Sequence, residues 1–273
     1  MVETNSVSRQ RALGVMIAVA VLAMTTVGGS AWAQNPLPID SGVINPRGLA
    51  WDGSHFWFIG GLGSDDNVLF RVNPQNGVID PQARLPSPDF GDVRAIAWRR
   101  SDETFWIADD ETQLIWNIRV SPSAPSISVE SRFGAPDRDF EKMNVTGLEW
   151  DDRPGEEGLW VCTSKGLCST IRKLNVGENV ARRVVISFYP VCDPRGLAIA
   201  GGKLWSVAFG QPPHSSKLLS FNLSEDDHWS SIKASRKLSR AVAGNAQVGL
   251  SRRDQNLWVL DQHDRLIRLL RVD

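Results

Sequence analysis

Glu149 is the residue whose position in this sequence most clearly suggests chemistry. It lies in the third of five similar segments, and the other four have a small side chain at the same place: Ala50, Ala97, Ala198 and Ser251. If this place faces the interior, the carboxylate loses hydration and needs a cation or an arginine beside it. Glu149 could be a general base with a raised pKa, a metal ligand, or the partner of Arg94 or Arg195. We favour the ion pair, because buried carboxylates are usually paired.

A basic residue directly precedes the segment in three of the five copies: Arg47, Arg94 and Arg195. Guanidinium groups present paired donors that suit a carboxylate or a phosphate, so these arginines are candidate ligand-binding residues for a small anionic molecule. In the alternative arrangement each arginine is neutralised by a nearby aspartate and serves the structure alone. Arg94, for instance, would pair with Asp92 or Asp193.

Oxygen-bearing side chains occur two residues before that position in four copies: Asn45, Asp92, Asn144 and Asp193. Carboxylate and amide oxygens are the ligands that Ca²⁺ prefers. Asp92, Asn144 and Asp193, together with Glu149, are therefore a candidate site for Ca²⁺ or another divalent cation. The alternative is that the Asn and Asp side chains only close their own turns through hydrogen bonds to the backbone.

Two histidines, His214 and His263, lie in loops of the fourth and fifth segments, and Asp261 and Asp264 are close to the second of them. Histidine and carboxylate side chains can bind a metal or exchange protons near neutral pH. Both histidines are candidate ligand-binding residues, and an exposed loop position is the alternative for each.

The elements that must position these residues follow from the repeat. A tryptophan marks the same register in every segment, at intervals of 45 to 54 residues: Trp57, Trp106, Trp160, Trp205 and Trp258. Such a period with several short apolar strands predicts propeller blades, since helical repeats would show a 3.6-residue apolar pattern. We assign these tryptophans to the core between blades, together with Trp51, Trp98 and Trp150 at the ends of the inner strands.

The predicted fold class is all-β, a five-bladed β-propeller of four-stranded blades. The first segment is the template, with an inner strand at GLAWD followed by FWFIGG, VLFRVN and VIDPQARL. The last segment lacks an outer strand, and the stretch LPIDSGVI before the first segment can supply it. Closure by this N-terminal outer strand would remove an exposed sheet edge.

The N-terminal 33 residues are typical of a secretory signal peptide. Arg9 and Arg11 precede an apolar run that ends in small residues around Ala33. The apolar core is shorter than the roughly 20 residues that span a bilayer. We therefore expect a single propeller domain over residues 34–273, no membrane span after signal cleavage, and a periplasmic or extracellular location.

Three cysteines, Cys162, Cys168 and Cys192, would lie in a compartment where disulfides persist. One disulfide is expected, either between Cys162 and Cys168 across a hairpin or between Cys168 and Cys192.

Charge and motifs exclude several functions. Subtracting Glu3, Arg9 and Arg11 from the totals of 30 basic and 31 acidic residues leaves 28 and 30, and the basic residues are scattered, so no nucleic-acid partner is expected. The signatures of serine hydrolases, zinc proteases and phosphate-binding loops are absent from the sequence.

Segments such as NPRGLAWDGSHFWFIGG followed by NVLFRVNPQNGVI resemble the blades of secreted bacterial propellers of the NHL, streptogramin-lyase-like and strictosidine/gluconolactonase-like superfamily. The gluconolactonase-like resemblance implies a divalent cation on the axis, with Glu149, Asn144, Asp92 and Asp193 as its ligands. The chain also resembles the five-bladed plant-type glutaminyl cyclotransferases. It lacks their Asn-Glu-Leu-Glu stretch, to which Thr146 to Glu149 correspond only in part.

Together these patterns predict a secreted or periplasmic propeller that acts as a ligand-binding or protein-interaction module. Its face would be the one where the inner strands begin, and its partner a small anionic molecule or an envelope or extracellular protein. The alternative is a metal-assisted lactonase-like hydrolase or lyase, and a glutaminyl cyclotransferase-like activity ranks below both.

Overall fold

Every regular element in the part of the chain that the structure describes is a β-strand. The computed structural model describes residues 36–63, 65–86, 89–121, 126–135, 144–165, 168–176, 180–188, 192–210, 217–223, 234–237, 248–253 and 256–270. The chain divides into two units, Met1–Gln34 and Asn35–Asp273, and all of the described residues belong to the second. They include no helix of the length and apolarity that a membrane crossing requires.

The strands form five antiparallel sheets of four strands, which are the blades. The first strand, β1 (Leu37–Pro38), belongs to the last blade. Blade 1 consists of β2 (Val43–Trp51), β3 (Phe56–Leu62), β4 (Asp65–Val72) and β5 (Ile79–Arg84). Blade 2 consists of β6 (Val93–Arg99), β7 (Thr104–Asp109), β8 (Leu114–Val120) and β9 (Ile127–Gly134). Blade 3 consists of β10 (Asn144–Asp151), β11 (Gly158–Lys165), β12 (Cys168–Asn175) and β13 (Val180–Phe188). Blade 4 consists of β14 (Cys192–Ala200), β15 (Lys203–Gly210), β16 (Lys217–Asn222) and β17 (Ala234–Lys237). Blade 5 consists of β18 (Val248–Arg253), β19 (Asn256–Asp261), β20 (Leu266–Leu270) and β1.

The predicted five-bladed β-propeller is therefore confirmed, as is its closure by the N-terminus. In blade 5, β1 pairs with β20 through Leu37 opposite Ile267 and Pro38 opposite Leu266. A proline is tolerated here because β1 is an edge strand. Only the first part of the predicted closing stretch has this role, since the chain from Val43 onward already belongs to the inner strand of blade 1.

Large side chains fill the space between blades, because both faces of each blade are covered by its neighbours. The five register-marking tryptophans are all buried: Trp57, Trp106, Trp160, Trp205 and Trp258. Three of them contact aromatic rings of adjacent blades: Trp57 with Phe105 at 4.8 Å between centroids, Trp106 with Trp150 at 6.3 Å, and Trp258 with Phe56 at 5.1 Å. Aromatic pairs at these distances add to the stability gained from burial. The predicted core role of these five tryptophans is confirmed.

The inner strands β2, β6, β10, β14 and β18 surround the axis and approach one another closely at one level. We call this level the glycine waist, and its residues are Gly48, Ala95, Gly147, Gly196 and Gly249. A Cβ atom on Gly147 would lie 3.0 Å from the backbone of Gly196, and one on Gly249 would overlap the backbone of Gly48. The gap on the axis at the waist has a volume of about 10 Å³, which is enough for one water molecule at most. The waist therefore divides the axis into an upper face, where the inner strands begin, and a lower face, where they end.

The structure corrects one of the two cysteine pairings. Cys162 is a buried thiol whose Sγ donates to the backbone carbonyl of Pro194 at 3.3 Å and accepts from Thr146 Oγ1 at 3.3 Å. Cys162 lies opposite Ile171 in the hairpin, whereas Cys168 lies opposite Lys165. Cys162 and Cys168 are therefore not positioned as a bridge. The side chains of Cys168 and Cys192 lie outside the described residues, so that pairing stays a prediction.

Candidate functional site

Arg47, on the upper face, is held in a buried network. Its side chain donates through Nε to the carbonyl oxygen of Val93 and through Nη2 to Asn67 Oδ1 at 2.7 Å. Its Nη1 atom lies 3.3 Å from Asp92 Oδ1. The residue as a whole is only 8% exposed. Arg47 therefore ties blade 1 to the start of blade 2.

Arg94 is held between two carboxylates of its own blade. Its Nε and Nη2 atoms donate to Asp92 Oδ2 at 2.8 and 2.6 Å, and Nη1 lies 3.1 Å from Asp110 Oδ2. Burial alone would lower the pKa of Arg94, but the hydrogen bond to Asp92 and the charge of Asp110 outweigh burial and raise it. Burial also raises the pKa of Asp110 to about 6, against the charge of Arg94 and the N–H of Val145. Arg47 and Arg94 are thus compensated by aspartates, which argues against an anion site made by these two residues.

The other candidates on the upper face are differently placed. Arg195 lies in β14 opposite Val207 and is half-buried, and its role in ligand binding stays a prediction. His263 is exposed in the turn after β19, where its backbone N–H donates to Asp261 Oδ1 at 3.1 Å. His214 lies outside the described residues. The structure therefore does not bring the two histidines together in any described site.

The candidate cation ligands are separated by the waist. Asn144 begins β10 opposite Ser164, whereas Glu149 is five residues farther along, opposite Trp160. Their Cα atoms are therefore roughly 15 Å apart, too far for both side chains to bind one ion at about 2.4 Å. Asp92, also on the upper face, already binds Arg47 and Arg94.

This separation corrects the predicted grouping of Glu149 with Asn144 and Asp92. Among the described residues, no cluster of three or more His, Cys, Asp or Glu side chains could hold a metal ion. The side chain of Asp193 lies outside that part of the chain. A site for Ca²⁺ or another divalent cation stays a prediction.

A pocket of about 320 Å³, which we call the lower pocket, opens on the other side of the waist. Its inner end is formed two residues beyond the waist position by Ala50, Glu149 and Ser251. Three indole rings line its walls: Trp51, Trp98 and Trp150. Charged side chains lie around its opening: Asp52, Arg100, Asp152 and Arg252. Its size falls at the lower end of the range of small-molecule sites, about 300 to 1,000 Å³.

The three wall tryptophans were assigned to the core from the sequence, and this is correct only in part. Trp51 and Trp98 are partly exposed in the lower pocket, and Trp150 is nearly buried. Trp98 contacts Phe105 at a centroid distance of 4.6 Å. The ring of Trp51 lies between Phe56 at 4.8 Å and the guanidinium group of Arg253 at 4.9 Å. The ring of Trp150 contacts Trp106 and the guanidinium group of Arg99 at 6.3 and 4.5 Å, so Trp98 is the wall ring best placed to meet a ligand. The signal that could have revealed them is their distribution, because only three of the five copies have an aromatic residue at this place.

Glu149 is the most perturbed group of the pocket. Its Oε1 atom accepts a hydrogen bond from the backbone N–H of Ile199 in blade 4 at 3.0 Å. Although the side chain reaches the pocket, surrounding protein removes most of its hydration, and this burial raises the pKa of Glu149 to about 8. The N–H of Ile199 and the charge of Arg252 oppose the rise, whereas Asp152 adds to it. At pH 7 the group is therefore mainly a neutral carboxylic acid that can donate a hydrogen bond.

The arginine that acts on Glu149 is thus Arg252, rather than the predicted partner Arg94 or Arg195.

The other charged side chains of the pocket balance one another. Asp52 is fixed in its turn, where Oδ2 accepts from Trp57 Nε1 at 2.6 Å. Its charge and that of Asp152 offset the guanidinium groups of Arg100 and Arg252, so the lower pocket has no large net charge.

Comparisons with known proteins agree with the fold. No protein-family model and no curated protein matches the chain. An exo-β-1,3-galactanase from Phanerochaete chrysosporium with β-1,3-galactotriose has a TM-score of 0.56 at 12% identity, over 87% of this chain and 67% of that one. The PQQ-bound aldose sugar dehydrogenase from Streptomyces coelicolor has a TM-score of 0.53 at 13% identity, over 86% and 95%. The nidogen/laminin complex has a TM-score of 0.51 at 16% identity, over 79% and 72%. At these identities the likeness shows the β-propeller fold, as the sequence resemblance implied, and nothing about activity.

Proposed function

We propose that this protein is a ligand-binding propeller whose lower pocket takes a neutral saccharide. The observation that carries the proposal is the combination of indole walls with polar groups whose charges balance. A sugar ring has an apolar C–H face that stacks on an indole, and hydroxyl groups that bond to carboxyl and guanidinium groups. Rigid rings with a few convergent polar groups are typical of small-molecule sites. The ligand-binding role expected from the sequence is retained, but on the opposite face.

The charges of the pocket favour a neutral ligand over an ion. An organic cation held against indole rings would meet the positive charges of Arg100 and Arg252. Glu149, which is mainly protonated at pH 7, would offer it no compensating charge. An anion would meet the carboxylates of Asp52 and Asp152. A saccharide uses both kinds of group, because each hydroxyl both donates and accepts hydrogen bonds.

Two of the similar propellers are, by name, a galactanase and a sugar dehydrogenase. Their likeness to this chain supports only the choice of ligands to test.

Thermal unfolding with a sugar panel tests the proposal. Glucose, galactose, mannose and xylose, and their short oligomers, are added to the purified protein. A sugar at 100 times its Kd stabilises the folded state by about 2.7 kcal/mol, which raises Tm by roughly 5 to 10 °C in a domain of this size. Trp98→Ala and Arg100→Ala should abolish or reduce the shift. Arg119→Ala, an exposed change in β8 of the same blade, is the matched control and should retain it. Absence of any shift, or an unchanged shift in Trp98→Ala, would refute the proposal.

The raised pKa of Glu149 favours a second candidate function, hydrolysis of a glycosidic bond in the same pocket. In this reaction a glycoside with a small leaving group would bind in the opposite orientation, with its glycosidic oxygen against Glu149, which would give its proton to that oxygen as the C–O bond breaks. Asp152 or Asp52 would take a proton from the water that attacks the anomeric carbon. Release of reducing sugar should then decline above pH 8, where Glu149 loses its proton, and Glu149→Gln should abolish it. Sugar binding without any hydrolysis by the wild-type protein would exclude this function.

The metal-assisted lactonase-like hydrolase or lyase stays an alternative proposal, and elemental analysis of protein purified without chelator tests it. Secretion to the periplasm or the exterior is likewise proposed, from the N-terminal 33 residues. Cell fractionation and N-terminal sequencing of the mature chain test it, with cleavage before Gln34 expected.

A further inference from the structure

The lower pocket ends blindly at the glycine waist. Beyond its inner end the five inner strands leave a gap of about 10 Å³ on the axis, which holds at most one water molecule. At the waist the backbone of Gly249 lies against that of Gly48, and the backbone of Gly147 against that of Gly196. These positions have no side chain that could rotate to open a passage. A ligand can therefore enter and leave the pocket only through the lower face.

The closed inner end limits which unit of a polymeric ligand can enter the pocket. An internal unit of a saccharide chain carries glycosidic linkages on roughly opposite sides of its ring. If one linkage leaves through the opening, the other points toward the waist, where no chain can continue. A terminal unit has a free hydroxyl group on that side instead. The inner end of the pocket suits such a group, because Glu149 and Ser251 offer polar atoms there beside the small Ala50.

We propose that the lower pocket recognises the end of a saccharide chain, or a free sugar, and excludes internal units. This inference rests on the saccharide-binding function proposed above. Glu149 and Ser251 contact the hydroxyl group that an internal unit would carry as a linkage. Trp98 stacks on the terminal ring, Trp51 and Trp150 bound the pocket beside it, and Arg100, Asp152 and Arg252 at the opening meet the next unit.

Titration calorimetry with end-capped oligomers tests the inference. The probes are linear oligomers of the panel sugar that gives the largest Tm shift, either uncapped or O-methylated on the terminal unit's ring hydroxyls. The uncapped oligomer should bind with an affinity equal to or above that of the monosaccharide. O-methylation should weaken binding at least tenfold, because the added methyl group would meet the closed end of the pocket.

Two variants distinguish the closed end from the opening. Glu149→Ala introduces the residue present in three other blades, so it should fold and create space, and it should recover a substantial part of the binding of the capped oligomer. Asp152→Ala, at the exposed opening, should change the binding of capped and uncapped oligomers by the same factor. Equal binding of capped and uncapped oligomers by the wild-type protein would overturn the chain-end inference alone. If no sugar binds at all, both this inference and the saccharide proposal are overturned.

Discussion

Replacement of Glu149 by glutamine should change the way in which the stability of this protein depends on pH. In the folded protein burial raises the pKa of Glu149 to about 8, whereas the pKa of a glutamate in an unfolded chain is about 4.3. Below the pKa of the unfolded chain, Glu149 is protonated in both states, so its ionisation does not affect the free energy of unfolding. As pH rises toward 8 the unfolded chain releases its proton and the folded protein retains it, so the free energy of unfolding falls. Above pH 8 the loss is complete.

The size of the loss follows from the two pKa values. Each unit of difference corresponds to about 1.4 kcal/mol, so a fully buried group would cost about 5 kcal/mol above pH 8. Glu149 lines a pocket that is open to water, which weakens the effect. We therefore expect a loss of about 2 to 3 kcal/mol. Glutamine does not titrate, and its side-chain oxygen can still accept the hydrogen bond from Ile199.

Urea unfolding of the wild-type protein and of Glu149→Gln at intervals from pH 5 to pH 9 measures this difference. Asp110, whose pKa burial raises to about 6, titrates in both proteins, so its contribution cancels in the comparison. The wild-type protein should lose stability relative to the variant by about 2 to 3 kcal/mol across the range. A difference that stays constant from pH 5 to pH 9 would show that Glu149 is ionised and well solvated in the folded protein.

Three further predictions concern the frame around the pocket. Gly249→Ala would place a Cβ atom against the backbone of Gly48, and urea unfolding should show a loss of about 1 to 3 kcal/mol; a loss below 0.5 kcal/mol would mean that the waist is not closely packed. Leu37→Ala, in the buried closing strand, should cost about 2 to 3 kcal/mol in the same assay, and an unchanged midpoint would contradict closure by β1. Arg94→Ala should destabilise the protein by about 3 kcal/mol, because Asp110 remains buried without its partner. The same variant should keep the sugar-induced Tm shifts. Loss of those shifts would show that the ligand binds on the upper face.

The fold could be predicted from the sequence because the same local pattern occurs five times. Each copy has a short apolar strand followed by a strand containing a tryptophan such as Trp106, and one repeated unit implies the packing of all the others. The closing strand was predicted by elimination, since the last segment has three strands and the stretch around Leu37 had no blade. Its length was overestimated, because Val43 and the residues after it pair with β3 instead.

The site could be predicted only in part. Glu149 was identified because it departs from the repeat, and the structure places it at a pocket with a raised pKa. It was wrongly grouped with Asn144 and Asp92, which lie on the upper face, whereas Glu149 lies below the waist. Residues three to five positions from Glu149 along β10, such as Asn144, are close in sequence, but a strand extends about 3.3 Å per residue. Two residues five positions apart in a strand are therefore too far apart to bind one ion together.

The sequence by itself determined the five blades, their strand order and the residues that fill the space between them, because a repeated pattern of apolar side chains has few ways to be buried. Tertiary structure alone decided that, among the described residues, a pocket with Glu149 lies on the lower face. That outcome depends on how closely five inner strands approach at Gly48 and its counterparts, and on which side of this level each polar side chain lies. Tertiary structure also decided which side chains are charged. Arg94 has the carboxylate of Asp92 at 2.6 Å, whereas Glu149 is desolvated and has no equally close arginine, so its pKa is raised. Burial and distance set these energies, and both are properties of the assembled propeller rather than of any one segment.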